Sequence, residues 1–147
     1  MDFVRHILDS GLGPIVTVTI GLSFAEEEGR KASGRDFGKR GRYSALIDPG
    51  VETTVVSEAI RLEYDPGEYG LEPIYFPLTG TGLRVATHLY VGVPELIPNL
   101  LERNMRVIVA PLSGSVQCIL GRDFLNVIEF MYDGDAEVFS WRVSSHL

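Results

Sequence analysis

A hydrophobic strand that runs directly into an aspartate at a tight turn constrains this chain more than any other feature. It lies at residues 45–50, whose sequence is Ala-Leu-Ile-Asp-Pro-Gly. The apolar residues before Asp48 predict a buried strand, and Gly50 lets the chain turn without the strain of a Cβ atom. A side chain at the end of a rigid strand is held in a fixed place, which is how folds present functional groups. The segment therefore predicts a β fold that presents the carboxylate of Asp48.

The same three residues also occur as an ordinary turn in this chain. Asp-Pro-Gly recurs at residues 65–67, only 17 residues after Asp48, and no apolar strand precedes this second copy. Aspartate, proline and glycine are all common turn residues, so the tripeptide alone does not separate a catalytic aspartate from a turn aspartate. Both interpretations of Asp48 stay open at this point.

Composition indicates one β-rich domain. The chain has 147 residues, of which 45% are hydrophobic and 22% charged, so it can bury a core. Sixteen glycines and eight prolines favour many turns over a helical bundle. Alternating patterns predict strands, listed here in order: 14–21, 43–47, 53–57, 71–78, 83–93, 105–111, 116–120, 128–132 and 136–141.

Four other segments receive separate predictions. Residues 1–13 are predicted as a leader with a helical turn, ahead of a single domain at 14–147. Residues 23–42 mix glycines with charged residues, which predicts an inserted, solvated loop or a long hairpin tip. A helical turn is predicted near residues 58–61, and residues 122–127 are the strongest helix candidate.

Charge and cysteine content exclude several classes of partner. A net charge of −7 and a pI near 4.9 predict no nucleic-acid partner. No apolar run approaches the roughly 20 residues that a membrane span requires, so no membrane partner is predicted. The single cysteine, Cys118, allows no internal disulfide and fits a reducing compartment, which predicts a cytoplasmic protein. The three histidines are scattered without metal-ligand spacing, so neither a metal nor another cofactor is predicted.

The order of four segments resembles the retropepsins, the aspartic proteases of retroviral type. These segments are a first strand at 14–21, the aspartate segment at 45–56, a glycine-rich hairpin at 78–83, and Ile-Leu-Gly-Arg-Asp-Phe-Leu at 119–125. The resemblance covers about residues 14 to 141, with the insertion at 23–42. It implies an all-β fold: a closed barrel, corresponding to half of an acid protease, with one short C-terminal helix and a flap hairpin.

The resemblance also implies roles for individual residues. Asp48 corresponds to the catalytic carboxylate of the family, and the implied substrate is a peptide or protein. The residues implied to bind substrate are Gly50, Glu52, Thr79, Gly80, Thr81 and Gly82. Those implied to support the site are Pro49, Gly121 and Arg122, and the Arg122 guanidinium is expected to form an ion pair with Glu52.

A single copy of the aspartate segment predicts a homodimer. Acid proteases hydrolyse peptides with two neighbouring carboxylates that share one proton, because like charges so close cannot both ionise. Two lobes of a single-chain protease cannot fit in the 17 residues between Asp48 and Asp65. The second carboxylate therefore has to come from Asp48 of another copy, near a twofold axis.

Pro49 is the main departure from the family pattern. Retropepsins carry threonine or serine here, and the resemblance implies that this hydroxyl bonds across the dimer axis to the backbone of the partner. Proline lacks a hydroxyl, so Pro49 cannot make this hydrogen bond to the partner. It also lacks a backbone N–H, so it cannot donate to the partner in return. Val51 also replaces a smaller residue. Three interpretations remain: an active peptidase, an inactive dimerisation or peptide-binding domain of the same fold, and an unrelated small barrel.

Overall fold

The computed structural model describes residues 2–67, 70–76, 80–99, 102–112 and 114–144. Within these residues the strands are β1 (Val4–Ile7), β2 (Ile15–Leu22), β3 (Gly41–Ile47), β4 (Val55–Ser57), β5 (Gly70–Phe76), β6 (Gly80–Gly92), β7 (Glu102–Ala110), β8 (Cys118–Leu120), β9 (Ile128–Asp133) and β10 (Val138–Val143). The helices are α1 (Phe24–Ala32), α2 (Glu58–Tyr64) and α3 (Arg122–Leu125), and a 3-10 helix spans Pro94–Asn99.

Six strands close into a barrel. The order is β2-β3-β8-β4-β7-β6, and β6 returns to pair with β2, so the ring has no free edge. Most neighbours are antiparallel, but β3 pairs with β8 and β4 with β7 in parallel. β5 lies outside the ring and forms a hairpin with the first half of β6.

Alternate residues of the barrel strands fill its interior. In β2 the side chains of Val16, Val18 and Ile20 are buried, whereas Thr17 faces solvent, as the alternating pattern predicted. The other buried apolar residues of the same core include Ala45, Ile47, Val56, Leu89, Val91, Val107, Val109, Leu120 and Phe124. β3 ends in this core at Ile47, so the residue that follows leaves the barrel from a fixed point.

The remaining strands form a separate antiparallel sheet in the order β1-β10-β9. The β9–β10 hairpin was predicted, but the helical turn predicted within residues 1–13 is wrong. Residues 4–7 form β1 instead, and Val4 pairs with Trp141. The alternation of Val4 and His6 inward with Arg5 and Ile7 outward suits a strand against the buried Trp141.

The insertion is folded, in contrast to the predicted solvated loop. α1 begins after Ser23, whose hydroxyl oxygen accepts from the Glu26 N–H at 3.3 Å. Its glutamates lie in the first turn and its basic residues in the last, which complements the helix dipole. Gly29 suggested a loop, but the cap and the pairing of Arg30 with Glu26 outweigh the propensity cost of one glycine.

The two helices that the sequence indicated are present. α2 extends the helical turn predicted near residues 58–61, and α3 occupies the first part of the segment predicted at 122–127. None of the helices in the described ranges is long and apolar enough to span a bilayer. The elements therefore match the all-β fold with short helices, and α1 is the addition.

Candidate functional site

Asp48 is held by backbone hydrogen bonds on both sides of the point where β3 ends. The Ile47 N–H donates to the Pro14 carbonyl at 2.9 Å, and the Asp48 N–H donates to the Leu120 carbonyl of β8 at 3.0 Å. Two different elements thus fix the chain as it leaves the sheet. The half-buried carboxylate follows a rigid strand, as predicted, while Pro49 and Gly50 are exposed beyond it.

The turn after Asp48 closes on the carboxylate itself. The Gly50 N–H donates to Asp48 Oδ1 at 2.9 Å, and the Val51 N–H donates to the Asp48 carbonyl at 3.2 Å. A Cβ atom on Gly50 would stand only 3.0 Å from the same Oδ1, so glycine allows this close approach. Hydrogen bonding fixes one carboxylate oxygen, while Oδ2 has no hydrogen-bond partner within the described part of the chain.

The segment at 121–123 is bonded to the Asp48 loop through its backbone. The Arg122 N–H donates to the Val51 carbonyl at 2.8 Å, and the Asp123 N–H donates to the Glu52 carbonyl at 3.1 Å. A Cβ atom on Gly121 would stand 2.8 Å from the Val51 carbonyl oxygen, so only glycine fits here. The structure thus brings together the two segments that the sequence singled out.

The ion pair expected between Arg122 and Glu52 is not formed. Both residues are described, and no contact within 4.0 Å joins their charged groups. Arg122 Nη1 instead donates to the Pro49 carbonyl at 2.9 Å. Both side chains are exposed, where an ion pair gains little, and the carbonyl of the neighbouring turn satisfies the guanidinium. Arg122 therefore braces the turn, as expected, but through a different partner.

Thr54 and Asp123 form a buried brace that the sequence interpretation missed. The Thr54 hydroxyl donates to Asp123 Oδ1 at 2.7 Å, and the Thr54 N–H donates to the same carboxylate at 3.0 Å. The Thr54 hydroxyl oxygen also accepts from the Gly121 N–H at 3.1 Å. Arg103 of β7 donates to the Asp123 carbonyl at 2.6 Å. The available signal was an aspartate in the first turn of a predicted helix, where an acceptor is favoured.

The glycine-rich hairpin differs in detail from the prediction. Gly80, Thr81 and Gly82 lie within β6, not in a turn, and they pair in register with residues 74–76 of β5. Thr79 lies outside the described residues, as do 77 and 78. The antiparallel hairpin itself, predicted as the flap, is present.

A second apolar cluster lies on the outer face of the barrel, next to the Asp48 loop. Val55, Ala86, Ile108 and Ala110 are buried in it, and Val51 packs against it from the loop. It joins the base of the β5–β6 hairpin, at Ala86, to Val51 of the Asp48 loop.

Other candidate chemistry is absent from the described residues. No group of three or more histidine, cysteine, aspartate or glutamate side chains there has metal-binding geometry. Cys118 is completely buried, and this burial raises the pKa of its thiol, which disfavours the reactive thiolate. Asp48 is thus the candidate group, because β3, the turn at Gly50 and the backbone contacts of residues 121–123 together fix its position.

Comparison with known proteins supports the fold these features define. No family model matches the chain, and no curated protein matches it. Among solved structures, the chain is similar to EIAV protease complexed with the inhibitor HBY-793, with a TM-score of 0.52 and 20% identity over 77% of this chain and 85% of that one. It also matches a foamy viral protease-reverse transcriptase in complex with an RNA/DNA hybrid, with a TM-score of 0.43 and 15% identity over 77% of this chain and 12% of that one. The chain therefore has a retropepsin-like fold.

Proposed function

We propose that this protein is an aspartic endopeptidase that acts as a homodimer, with Asp48 from each copy forming the catalytic pair. The observation that carries the proposal is the placement of Asp48. Its backbone is fixed at a strand end, Gly50 holds one oxygen, and the turn is exposed to an approaching second copy. The similar fold of EIAV protease supports the same assignment.

In the proposed reaction the two Asp48 carboxylates hold one proton and one water between them. The ionised carboxylate takes a proton from the water as its oxygen attacks the scissile carbonyl carbon, and the other carboxyl donates its proton to the carbonyl oxygen. The resulting tetrahedral intermediate collapses when the C–N bond breaks. The amine leaving group takes a proton from one carboxyl of the pair, and the other carboxylate takes a proton from a hydroxyl of the intermediate, so the pair again holds one proton.

The proposed substrate is an extended peptide that lies between the Asp48 loop and the β5–β6 hairpin. Val51 packs against the buried cluster of Val55 and Ile108 but is itself only half-buried, so it presents aliphatic surface beside the aspartate, which favours an apolar substrate side chain. Backbone groups of the hairpin are suited to hydrogen-bond an extended chain, whereas side-chain pockets supply selectivity. In this proposal the hairpin closes over the peptide as a flap.

Pro49 affects the rate and the dimer more than the fold. Without a hydroxyl or an N–H at this position, two symmetric copies lose their cross-axis hydrogen bonds, each worth about 0.5–1.5 kcal/mol. The contact from Arg122 to the Pro49 carbonyl holds the turn within one chain and partly offsets that loss. We expect a weaker dimer and a slower enzyme than a threonine would give, because small errors in position reduce rates strongly.

Cleavage of a diverse peptide library, read by mass spectrometry from about pH 3.5 to 7.5, tests the proposal across the range where carboxylate pairs titrate. Wild type is compared with Asp48→Asn, which keeps the turn but removes the acid and base, and with Pro49→Thr, which restores a hydroxyl. We expect cleavage by wild type, none by Asp48→Asn, and faster cleavage with a tighter dimer for Pro49→Thr.

The two remaining outcomes are informative in different ways. Activity in Pro49→Thr alone would mean that the scaffold is intact and that Pro49 disables it. If all three proteins form folded dimers and none cleaves, the catalytic proposal is wrong and a peptide-binding domain of the same fold remains.

A further inference from the structure

β9 forms one edge of the three-stranded sheet and carries none of the usual protection of an edge strand. Within the described residues, no strand pairs with its outer side. The segments outside that part of the chain are at most three residues long, shorter than the six residues of β9. An open edge presents backbone N–H and carbonyl groups to other chains, and proteins usually block it with proline, lysine or a very short strand. The sequence of β9, Ile-Glu-Phe-Met-Tyr-Asp, contains neither proline nor lysine.

The other sheet edges in the described part of the chain are blocked in these ways. β1 has only four residues. β5 contains Pro73, which has no backbone N–H to donate. The barrel closes on itself and has no free edge. Among the edges that the structure describes, β9 is therefore the one that is open to another strand.

The side chains of β9 leave apolar surface uncovered on both faces of the sheet. Tyr132 is 61% exposed and Met131 is 55% exposed, and as neighbours in a strand they point to opposite faces. Phe130 is half-buried, with its ring centroid 5.8 Å from that of Phe139. A strand added to this edge would cover apolar surface on both sides.

The sequence of β9 is complementary to itself in one central register. Directly opposed residues of an antiparallel pair point to the same face, so in a twofold pair one residue has to oppose its own copy. With Met131 at the centre, Glu129 would face Asp133 of the partner subunit, which places like charges opposite each other. With Phe130 at the centre, Glu129 faces Met131 of the partner subunit and Ile128 faces the partner's Tyr132. The second register avoids the repulsion and adds apolar cross-strand pairs.

β9 lies close to the Asp48 loop along the chain. The Asp123 N–H donates to the Glu52 carbonyl of that loop at 3.1 Å. Ile128 follows Asp123 by five residues, which span at most about 18 Å even when fully extended. A second copy bound at the start of β9 is therefore near the loop that carries Asp48.

We propose that β9 pairs antiparallel with β9 of a second copy, with Phe130 opposite Phe130 of the partner subunit, so that the two sheets become one continuous sheet. The inference rests on the proposed function, because the second copy is the one that supplies the other Asp48. Backbone hydrogen bonds between the two β9 strands then hold the dimer, which Pro49 cannot do at the aspartate turn.

Opposite charges at position 131 test both the interface and its register. With Phe130 at the centre, Met131→Glu faces Glu129 of the partner subunit twice in each dimer, and we expect the dissociation constant of the dimer to rise about tenfold. Met131→Lys faces the same carboxylate and should not weaken the dimer. Sedimentation equilibrium measures the dissociation constants, and circular dichroism checks the fold of each variant.

The matched controls are Leu62→Glu and Leu62→Lys, because Leu62 of α2 is 70% exposed. They change the net charge equally and should leave the dissociation constant unchanged. Equal weakening by Met131→Glu and Met131→Lys would overturn the register, because it would mean that residue 131 opposes its own copy. An unchanged dimer in Met131→Glu, equal weakening by Leu62→Glu, or a monomeric wild type would overturn the interface.

Cleavage of the peptide library by the same proteins distinguishes failure of the inference from failure of the proposed function. Cleavage by a wild-type dimer that is insensitive to Met131→Glu would overturn the β9 interface alone. A dimer that Met131→Glu weakens, without cleavage by wild type or by Pro49→Thr, would support the interface and overturn catalysis. If wild type neither dimerises nor cleaves, both are wrong.

Discussion

The Thr54 hydroxyl links three parts of the molecule behind the Asp48 turn. It bonds to the Asp123 carboxylate at the start of α3 and accepts from the Gly121 backbone, while Thr54 itself leads into β4. Thr54 is completely buried, so none of these bonds can be replaced by water. The geometry of the Asp48 loop therefore depends on a buried residue that lies behind it.

Thr54→Val should destabilise the protein by about 1–3 kcal/mol, because it leaves the Gly121 N–H without its acceptor and removes one of the donors to the Asp123 carboxylate. Thr54→Ser keeps the hydroxyl, loses only a methyl group, and serves as the matched control. Urea denaturation followed by circular dichroism measures both. Equal stability of Thr54→Val and wild type would show that the brace contributes nothing.

Single residues were predictable where their chemistry depends on local sequence. Asp48 and Gly121 were found because an apolar strand and a glycine mark their positions. Thr54 and Asp123 were missed because they are 69 residues apart, and the sequence does not show which buried threonine meets which carboxylate. The partner of Arg122 was wrong for the same reason: a backbone carbonyl leaves no signal in the sequence.

At the scale of elements, α1 is tied to the body of the protein by one buried cation. Arg30 Nε donates to Glu26 in the same helix at 3.0 Å, and its Nη2 donates to the carbonyl of Asp65 at 2.7 Å. Asp65 caps the end of α2 in a left-handed conformation. The insertion is therefore fastened to α2, although the two helices are far apart in the sequence.

Arg30→Met should cost about 1.5–3 kcal/mol of stability, the range for hydrogen bonds made by a charged group. Lys31→Met is the matched control, because its side chain is 46% exposed and pairs with Glu27 and Glu28 at 3.5 Å. It should change stability by less than about 0.5 kcal/mol. Chemical denaturation measures both variants, and similar losses in the two would contradict the role given to Arg30.

Elements with a strong alternating pattern were predictable, and elements that depend on distant contacts were not. β2, β3 and the β9–β10 hairpin follow their apolar alternation. α1 was interpreted as a loop because its glycines and charges are typical of solvated segments, and the burial of Arg30 depends on α2. β1 was interpreted as a helical turn because its partner, β10, lies at the other end of the chain.

For the molecule as a whole, Glu95 joins the three-stranded sheet to the barrel. The Trp141 indole N–H donates to Glu95 Oε1 at 2.5 Å, and His6 Nε2 lies 2.7 Å from the same oxygen. Glu95 belongs to the 3-10 helix that follows β6, whereas Trp141 and His6 belong to the sheet. One carboxylate oxygen thus connects both substructures.

Glu95→Ala should destabilise the protein by about 1–3 kcal/mol, because the buried indole N–H loses its acceptor. Glu95→Gln keeps a carbonyl oxygen in place and should recover most of that loss. Thermal unfolding monitored by Trp141 fluorescence compares the three proteins, since Trp141 is the single tryptophan. If Glu95→Gln is as unstable as Glu95→Ala, the negative charge of Glu95, and not its role as hydrogen-bond acceptor, stabilises the contact between the sheet and the barrel.

The position of β1 also determines what would happen if residues 1–13 were removed. β1 covers one edge of β10, and Val4 to Ile7 pair with Val138 to Trp141 along its length. Without β1, the backbone N–H and carbonyl groups on that edge would be left unpaired, which makes a strand prone to accept another chain. The β1 of a second molecule has the matching sequence and register. Loss of residues 1–13 from one chain would therefore create an acceptor for strand exchange with a chain that retains them.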